Sequence, residues 1–371
     1  MANFTLATAN EKHVWSTKYT SEYVRESGFL PYMGTADNSI IRVEKSLNGQ
    51  NGAVVHIPYF AKLSGAGVSG GGTLMGNEEA LGNYSVAIRA AQGKANAVKI
   101  RESETLKTEL AIADVARSSL KSWSAEGLRN DLITAFQSAI VPGGSDGNGG
   151  YLEDTYVSYA SASAGQRNTF ITNNADRVLF GNAISNGSSN VMATALATVT
   201  SGMTLSAATL SLAKRIAKKT NPLKINPYRS DATAGREYYV LFVGPEGFRD
   251  CQLDNTIYAA NKDARTRDVD SNPIFQSGDL IYNGIIIREI TEMPLVGNVG
   301  ASSASVGHAV LCGANAAAVA WSKMPDPRVQ TWDYAQENNV GIIEYRGQVK
   351  MSVKGIQTGM VSIFHAAASD S

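Results

Sequence analysis

The run Tyr59–Leu81, YFAKLSGAGVSGGGTLMGNEEAL, most constrains what this chain can fold into. Its glycines at 65, 67, 70, 71, 72 and 76 oppose a regular helix or strand, because glycine loses more freedom on ordering than any other residue. Apolar and acidic residues stand at definite places in the same run: Leu74, Met75, Glu78, Glu79 and Leu81. Gly52 to Phe60 reads as a strand before it. Tyr84 to Ile100 reads as a second strand after it, with period-two alternation from Tyr84 to Arg89. Two strands joined by a long projecting loop is the simplest geometry. Such a pair has no core of its own and is marginally stable in water. Something else must hold it, and in a chain with no obvious active site a neighbouring copy is the simplest support.

The length of 371 residues allows two or three domains and a sizeable core. The charged fraction of 18% is slightly low, as expected for a surface later covered by partners. Lys+Arg and Asp+Glu both number 33, so no global field draws the chain toward nucleic acid or an anionic membrane. Cys251 and Cys312 each sit in hydrophobic context and read as buried thiols of a reducing compartment, not as a disulfide scaffold. The start, MANFTLATANEKHVW, lacks the apolar stretch of a secretory signal, and no run of 18 apolar residues suggests a membrane span. A cytosolic protein, or one assembled from cytosolic subunits, is the expectation.

Along the chain, residues 1–50 read as an arm, 51–100 as the two-stranded loop with its flanking strands, and 101–150 as a spine helix. Residues 151–335 read as an α/β domain and 336–371 as closing strands. In the arm, Trp15, Tyr19 and Tyr23 suit docking on another surface or packing at home, and Gly34, Asp37 and Asn38 mark a turn. Thr105 to Ile140 is the clearest helix: Leu106, Leu110, Ala113, Ala116, Leu120 and Trp123 recur at helical spacing. The pattern restarts in a new phase at Leu128, Leu132, Ala135 and Phe136. Gly127 lies at the change, where a bend or break is expected, since a mid-helix glycine costs about 1 kcal/mol relative to alanine. Pro142-Gly143-Gly144 ends a helix that would be about 54 Å long. Further on, Leu205–Lys219 predicts a helix, Glu237–Val243 a buried strand, and Pro245 the first turn of a short helix. Leu280–Ile290 predicts a hairpin turning at Asn283-Gly284. His308–Leu311 reads as a strand, Ala314–Ala320 as a small-residue helix or turn, and Ile343, Tyr345, Val349, Met351 and Val353 as alternating strand.

Catalysis needs convergent groups, and the sequence offers none. His13, His56, His308 and His365 stand in no metal-binding spacing. PGGSDGNGG at 142–150 lacks the Lys-Ser/Thr of a phosphate loop and reads as a linker. Asp268, Asp270 and Asn272 approach a calcium loop, but Pro273 occupies the place of its required glycine. No GxSxG elbow occurs. Glu78 and Glu79 would face opposite sides of a strand, against a catalytic pair. No catalytic residue, metal or cofactor is therefore expected. KRIAKK at Lys214–Lys219 places cations at a helix C-terminus, where the macrodipole favours them; phosphate contact is the alternative.

The order of these segments resembles the major capsid proteins of tailed phages with the Hong Kong 97-like fold, an α+β architecture. SGFLPYMGTADNSIIRV (27–43) is similar to the arm of a coat-protein branch known from podophages, and GTLMGNEEAL (72–81) to its loop. YYVLFVGPEGFRDCQLD (238–254) and GHAVLCGANAAAVAW (307–321) resemble later segments of the same branch. The resemblance implies a shell subunit that assembles into pentamers and hexamers around a double-stranded DNA genome. The spine helix and closing strands would form a peripheral domain, and residues 151–335 an axial domain pointing toward capsomer axes. It also implies a separate scaffolding protein, a portal protein, a cement protein in some relatives, non-specific contact with packaged DNA, and no membrane. Gly65, Gly67, Gly70, Gly71 and Gly72 would give the loop its freedom. Leu74, Met75 and Leu81 would anchor it on the neighbour beside Glu78 and Glu79, and Gly127 would let the spine straighten. Some relatives cross-link through lysine and asparagine; nothing marks Lys62 or Lys94 as reactive. Other readings are a cellular nanocompartment shell with enzyme cargo, an enzyme with an unrecognised site, or a tail or decoration protein. The long helix fits the last badly.

Overall fold

Two sheets, joined through one long helix, organise the chain. The computed structural model describes residues 28–45, 54–60, 63, 65, 67–79, 82–90, 92–106, 111–144, 152–220, 223–231, 235–264, 279–334 and 336–367. The larger sheet runs Leu280–Tyr282, Ile285–Glu289, Arg236–Val243, Val306–Cys312, Met360–Ala366, Val178–Phe180, with Arg229–Asp231 paired to one end of Arg236–Val243. Apolar cover on both faces explains why Tyr-Tyr-Val-Leu-Phe-Val reads as an unbroken apolar run. Tyr239, Leu241 and Val243 face helix Ala207–Lys219, whereas Val240 and Phe242 face Phe29, Tyr32 and the end of the long helix. Alternate side chains of one strand thus serve two cores. On the second face Phe29 meets Phe242 edge-on at 4.9 Å and Phe136 at 5.7 Å between ring centroids. The Ser27–Val43 segment is therefore core material in its described part; Trp15, Tyr19 and Tyr23 lie outside the described residues.

The second sheet runs Met33–Gly34, Ile41–Glu44, Ala317–Trp332, Glu337–Lys350, Gln92–Arg101. Its centre is the antiparallel hairpin of Ala317–Trp332 and Glu337–Lys350. The long helix Ile112–Phe136 crosses it, burying Ala116 and Leu120 against Ile100, Val340 and Ile342.

Several elements match their expected places. Ala207–Lys219 is a helix capped by the Ser206 side chain, Pro245 opens helix Pro245–Leu253, and Val306–Cys312 is a strand. Asn283 and Gly284 turn the hairpin with φ of 48° and 71°. That pair of positive angles suits the tight two-residue connection the sequence announces.

Other expectations need correction. The long helix spans 25 residues, about 38 Å, and stops at Phe136. Ser138–Val141 is a strand paired with Thr155–Ser158, so Pro142-Gly143-Gly144 ends a strand. The Ser138 hydroxyl donates to the Ala135 carbonyl at 2.7 Å, satisfying a helix end, while Ala139 and Ile140 enter a core beside Phe170. Leu106, counted in the helical stripe, is exposed, and Leu110 lies outside the described residues. The helix runs unbroken through Gly127, so the chain does not break there.

Of the helix or turn expected at Ala314–Ala320, the turn forms at Ala314 and Asn315, and residues 317–320 are strand. Asn315 turns at φ 53° and Ala317 begins a strand whose alanines face two cores. Ala317 and Val319 join the Phe242 side, and Ala318 and Ala320 the base of the two-stranded loop. Both faces of the strand are buried there, which periodicity does not register. The second loop strand ends at Arg89, and Gln92–Arg101 continues as an edge of the five-stranded sheet. Sheet membership also cuts across the boundary expected at 335. Ala317–Trp332 pairs with Glu337–Lys350, while Met360–Ala366 sits between Val306–Cys312 and Val178–Phe180.

Gly347 marks where the hairpin passes the loop base. A Cβ there would lie 2.1 Å from the Arg89 carbonyl oxygen, a backbone atom that cannot swing aside. Gly347→Ala is expected to destabilise the subunit by at least about 1–3 kcal/mol. The shift in denaturant midpoint measures it, and an unchanged midpoint would contradict the close crossing.

Candidate functional site

The two-stranded loop is anchored on its own subunit at the base and unsupported at the tip. Val54–Phe60 and Asn83–Arg89 pair antiparallel from Val54 with Arg89 to Phe60 with Asn83. One side of this ribbon, carrying Val55, Ile57, Val86 and Ile88, buries against Ala318, Ala320, Val349 and Met351. Beyond Phe60 the apolar side chains come out: Phe60 and Leu63 are exposed, Leu74 is 73% exposed and Met75 88%.

The tip nonetheless has built structure. The Asn77 amide donates to the Leu74 carbonyl at 3.0 Å, and its side-chain nitrogen to the Thr73 carbonyl at 3.0 Å. The Glu78 carboxylate accepts the Gly76 amide at 2.8 Å, and the Glu79 carboxylate accepts the Gly65 amide at 2.7 Å across the loop. Glu78 and Glu79 are thus loop residues that tie the backbone, not strand residues facing apart. Gly67 and Gly70 take φ of 69° and 70°, angles that side chains rarely adopt, with open space where a Cβ would point. Gly71 is equally open, whereas a Cβ on Gly65 or Gly72 would meet Glu79 or Val68. Leu74 and Met75 are therefore presented on a turn held by its own hydrogen bonds. Leu81 lies outside the described residues, as does Lys62.

Two further surfaces carried no sequence signal. The tip of the long hairpin exposes Val329 and Trp332, and Tyr334 is fully exposed. Its turn places Asp333 and Tyr334 at φ 51° and 50°, without the Asn-Gly that would have revealed it. The other surface is a groove of about 700 Å³ at the C-terminal end of the long helix. Val191, Met192, Leu196, Leu295, Val296 and Val299 give it an apolar lining, with Thr134 and Gln137 at one edge. Arg167 is the charged residue among those that line it, and its guanidinium donates to the Tyr159 carbonyl at 3.2 Å.

Gly127 belongs to a different arrangement. A Cβ there would lie 3.1 Å from Nη2 of Arg346, so the glycine makes room for a guanidinium between helix and sheet. Arg346 and Glu344 are both 1% exposed and paired with each other. Arg346 Nη2 reaches Asp131 at 2.7 Å, Lys94 reaches Asp131 at 2.6 Å, and Ser124 donates to Glu344 at 3.1 Å. Ser124, Gly127 and Asp131 form one stripe of the helix at spacings of three and four. That polar stripe, set over β-sheet charges, coincides with the change of helical phase. Lys94 is taken up in it.

Several other charged groups pair within the subunit. Lys214 donates to the Asn283 carbonyl and Lys218 pairs with Glu237 at 2.5 Å, so part of KRIAKK clasps the neighbouring hairpin and strand. His56 lies 3.3 Å from Glu153. Cys251 and Cys312 are buried free thiols, and burial pushes Cys251 up to about 12. Among the described residues no group of three or more His, Cys, Asp or Glu is placed to hold a metal ion. No helix among them is long and apolar enough to cross a membrane.

With this geometry in place, comparisons with known proteins agree on one kind of relative. Residues 3–368 match the family described as phage capsid protein. The major capsid protein of Pseudomonas phage KPP25 is 26% identical over 389 residues, spanning 98% of this chain and 97% of that one. The solved cyanophage Pam1 capsid asymmetric unit is 37% identical, with a TM-score of 0.89 and all of both chains covered. The capsid of Ralstonia phage GP4 shares the fold at 19% identity and a TM-score of 0.72, again over all of both chains.

Proposed function

The chain belongs to the phage capsid protein family, and from that premise we propose how it builds a shell. It is a major capsid protein with the Hong Kong 97-like α+β fold, a structural component of the virion. The proposal concerns assembly: one subunit, repeated in pentamers and hexamers, encloses a double-stranded DNA genome, with the loop of each copy lying across its neighbour. Heterologous contacts of one sequence close into rings when the rotation between copies permits. The five-stranded sheet and long helix act as the peripheral part and the seven-stranded sheet as the axial part. A separate scaffolding protein, a portal protein and a cement protein complete the particle, assembled in the host cytoplasm. Contact with DNA is made through phosphates, without sequence preference.

One observation carries this reading: Leu74 and Met75 are held in solvent on a turn fixed by its own hydrogen bonds. Two large apolar side chains presented so openly call for a partner surface, and permanent interfaces bury about 2,000–5,000 Å². A cargo-enclosing cellular shell would use the same loop; the phage relatives favour DNA as the content. Deleting residues 64–72 tests the reading. The expected product is a folded subunit, unchanged in circular dichroism, that forms no closed shells by electron microscopy and sedimentation. Normal particles from the deletion would overturn it.

A further inference from the structure

We propose that the apolar groove at the end of the long helix receives the Leu74–Met75 tip of a neighbouring copy's loop, with Arg167 facing the acidic pair behind that tip. The inference rests on the loop reading above and names the surface on which the loop lands.

Groove and tip complement each other in three ways. The first is shape. The tip is convex and preset, with Leu74 73% and Met75 88% exposed on the Thr73–Asn77 turn. The groove is concave, about 700 Å³, large enough for several side chains. The second is polarity. Val191, Leu295 and Val299 are partly exposed in the groove, so apolar surface stands open on both sides of the proposed contact. Unbranched methionine fits irregular apolar sites well. The third is sign. Between residues 63 and 88 the chain carries Glu78 and Glu79 and no lysine or arginine. Among the groove's lining residues the charged one is Arg167. An arginine at the edge of a partly dry site attracts a carboxylate and repels other cations, which fixes orientation as well as adding attraction.

The loop base packs on Val349 and Met351, and the groove is lined by residues of other segments. A knob on one patch and a hole on another is the arrangement that links copies head to tail and closes into rings. The groove edge is also the C-terminal end of the long helix, at Thr134 and Gln137. There Gln137 donates to the Pro294 carbonyl at 3.0 Å and ties helix to groove wall. A neighbour's loop seated there would bear on both sheets' shared helix.

Cysteine cross-linking tests the assignment. Met75→Cys combined with Leu295→Cys gives a donor on the tip and an acceptor in the groove; Cys251 and Cys312, both buried, give no background. Mild oxidation of assembled particles is expected to produce a ladder of covalent oligomers on a non-reducing gel, absent from either single variant. Particles of the double variant without a ladder would overturn the groove. So would a ladder that forms only when Met75→Cys is paired with Trp332→Cys; that result leaves the loop reading intact and moves its landing site. Hydrogen exchange on the unmodified protein serves should the variants fail to assemble. Segments 72–79 and 294–299 are both expected to slow at least tenfold on assembly. Slowing at 72–79 alone would sink the groove, and slowing at neither would sink the loop reading itself.

Discussion

Replacing Arg346 with alanine is expected to destabilise the isolated subunit by about 3–5 kcal/mol, more than any other single truncation at the helix–sheet junction. Arg346 is 1% exposed and holds two carboxylates: Glu344, itself 1% exposed, and Asp131, reached from the helix above. Removing the guanidinium leaves Glu344 buried with the Ser124 hydroxyl as its neighbour, and a hydroxyl does not neutralise a charge. Asp131 keeps Lys94 at 2.6 Å, so the loss falls mainly on Glu344. A buried pair costs desolvation on both sides, which is why breaking one partner is far worse than removing both. Arg346→Met with Glu344→Leu should accordingly recover most of the lost stability. Denaturant midpoints of the assembly-blocked loop deletion carrying each change provide the measurement. An Arg346→Ala midpoint within about 0.5 kcal/mol of its parent would contradict the network, that being the scatter of ordinary surface substitutions.

This junction also shows where sequence reading reached its limit. The strand Arg236–Val243, the helix Ala207–Lys219 and the Asn283-Gly284 hairpin were legible because each carries a local signal: an apolar run, a capped periodic stripe, a turn pair. The two-stranded ribbon of the loop was legible for the same reason, as period-two alternation flanking glycines. The long helix was legible in its middle and misread at both ends. Ser138–Val141 continues an apolar pattern that suits helix and strand equally, and only its pairing with Thr155–Ser158 decides. At Gly127 the change of phase was real, and it coincides with a charge arriving from residue 346, far along the chain. Ser124, Gly127 and Asp131 on one helical stripe were the available hint. Ala317–Ala320 failed for a related reason: alanine is chosen by what packs on it, here two separate cores. The candidate contact residues from Gly65 to Leu81 came from composition. Their hydrogen bonds, Glu79 to Gly65 above all, come from a fold-back across the loop that no spacing announces. The groove is assembled from four stretches between 134 and 299, each unremarkable alone.

Lys350→Met is expected to act in the opposite direction from Arg346→Ala, although both remove a buried cation. Lys350 is fully buried, donates to the Ser138 carbonyl, and its ammonium stands 4.4 Å from the centre of the Phe170 ring. Burial pushes its pKa down to about 7. Among the described residues no carboxylate pairs with it; its titratable neighbours are Tyr159, whose ring centre lies 5.6 Å away, and His308, which burial and the Lys350 charge push down to about 3, with His365 beside His308 pushed by burial down to about 4. No described anion is therefore orphaned when the amine is removed, and methionine, one heavy atom shorter, keeps most of the packing on Phe170 and Tyr159 while the Ser138 carbonyl loses a donor. The sign follows from proton counting. Between about pH 7 and the ordinary lysine range near 10.4 the unfolded chain holds a proton that the folded chain does not. Stability gains from this group as pH rises through that window, on the order of 4–5 kcal/mol in total, and is at its poorest below pH 7 where the buried amine must be charged. Lys350→Met should flatten the slope above pH 7 and raise stability at pH 6 by about 1–4 kcal/mol. The acid slope below about pH 6.5 should persist in the variant, because His308 and His365 still favour the unfolded state when it can be protonated and they cannot. Denaturant unfolding of parent and variant across pH 5–10 separates the two contributions. A variant that keeps the parent's slope between pH 7 and 10 would show that Lys350 is charged in the folded subunit throughout that range.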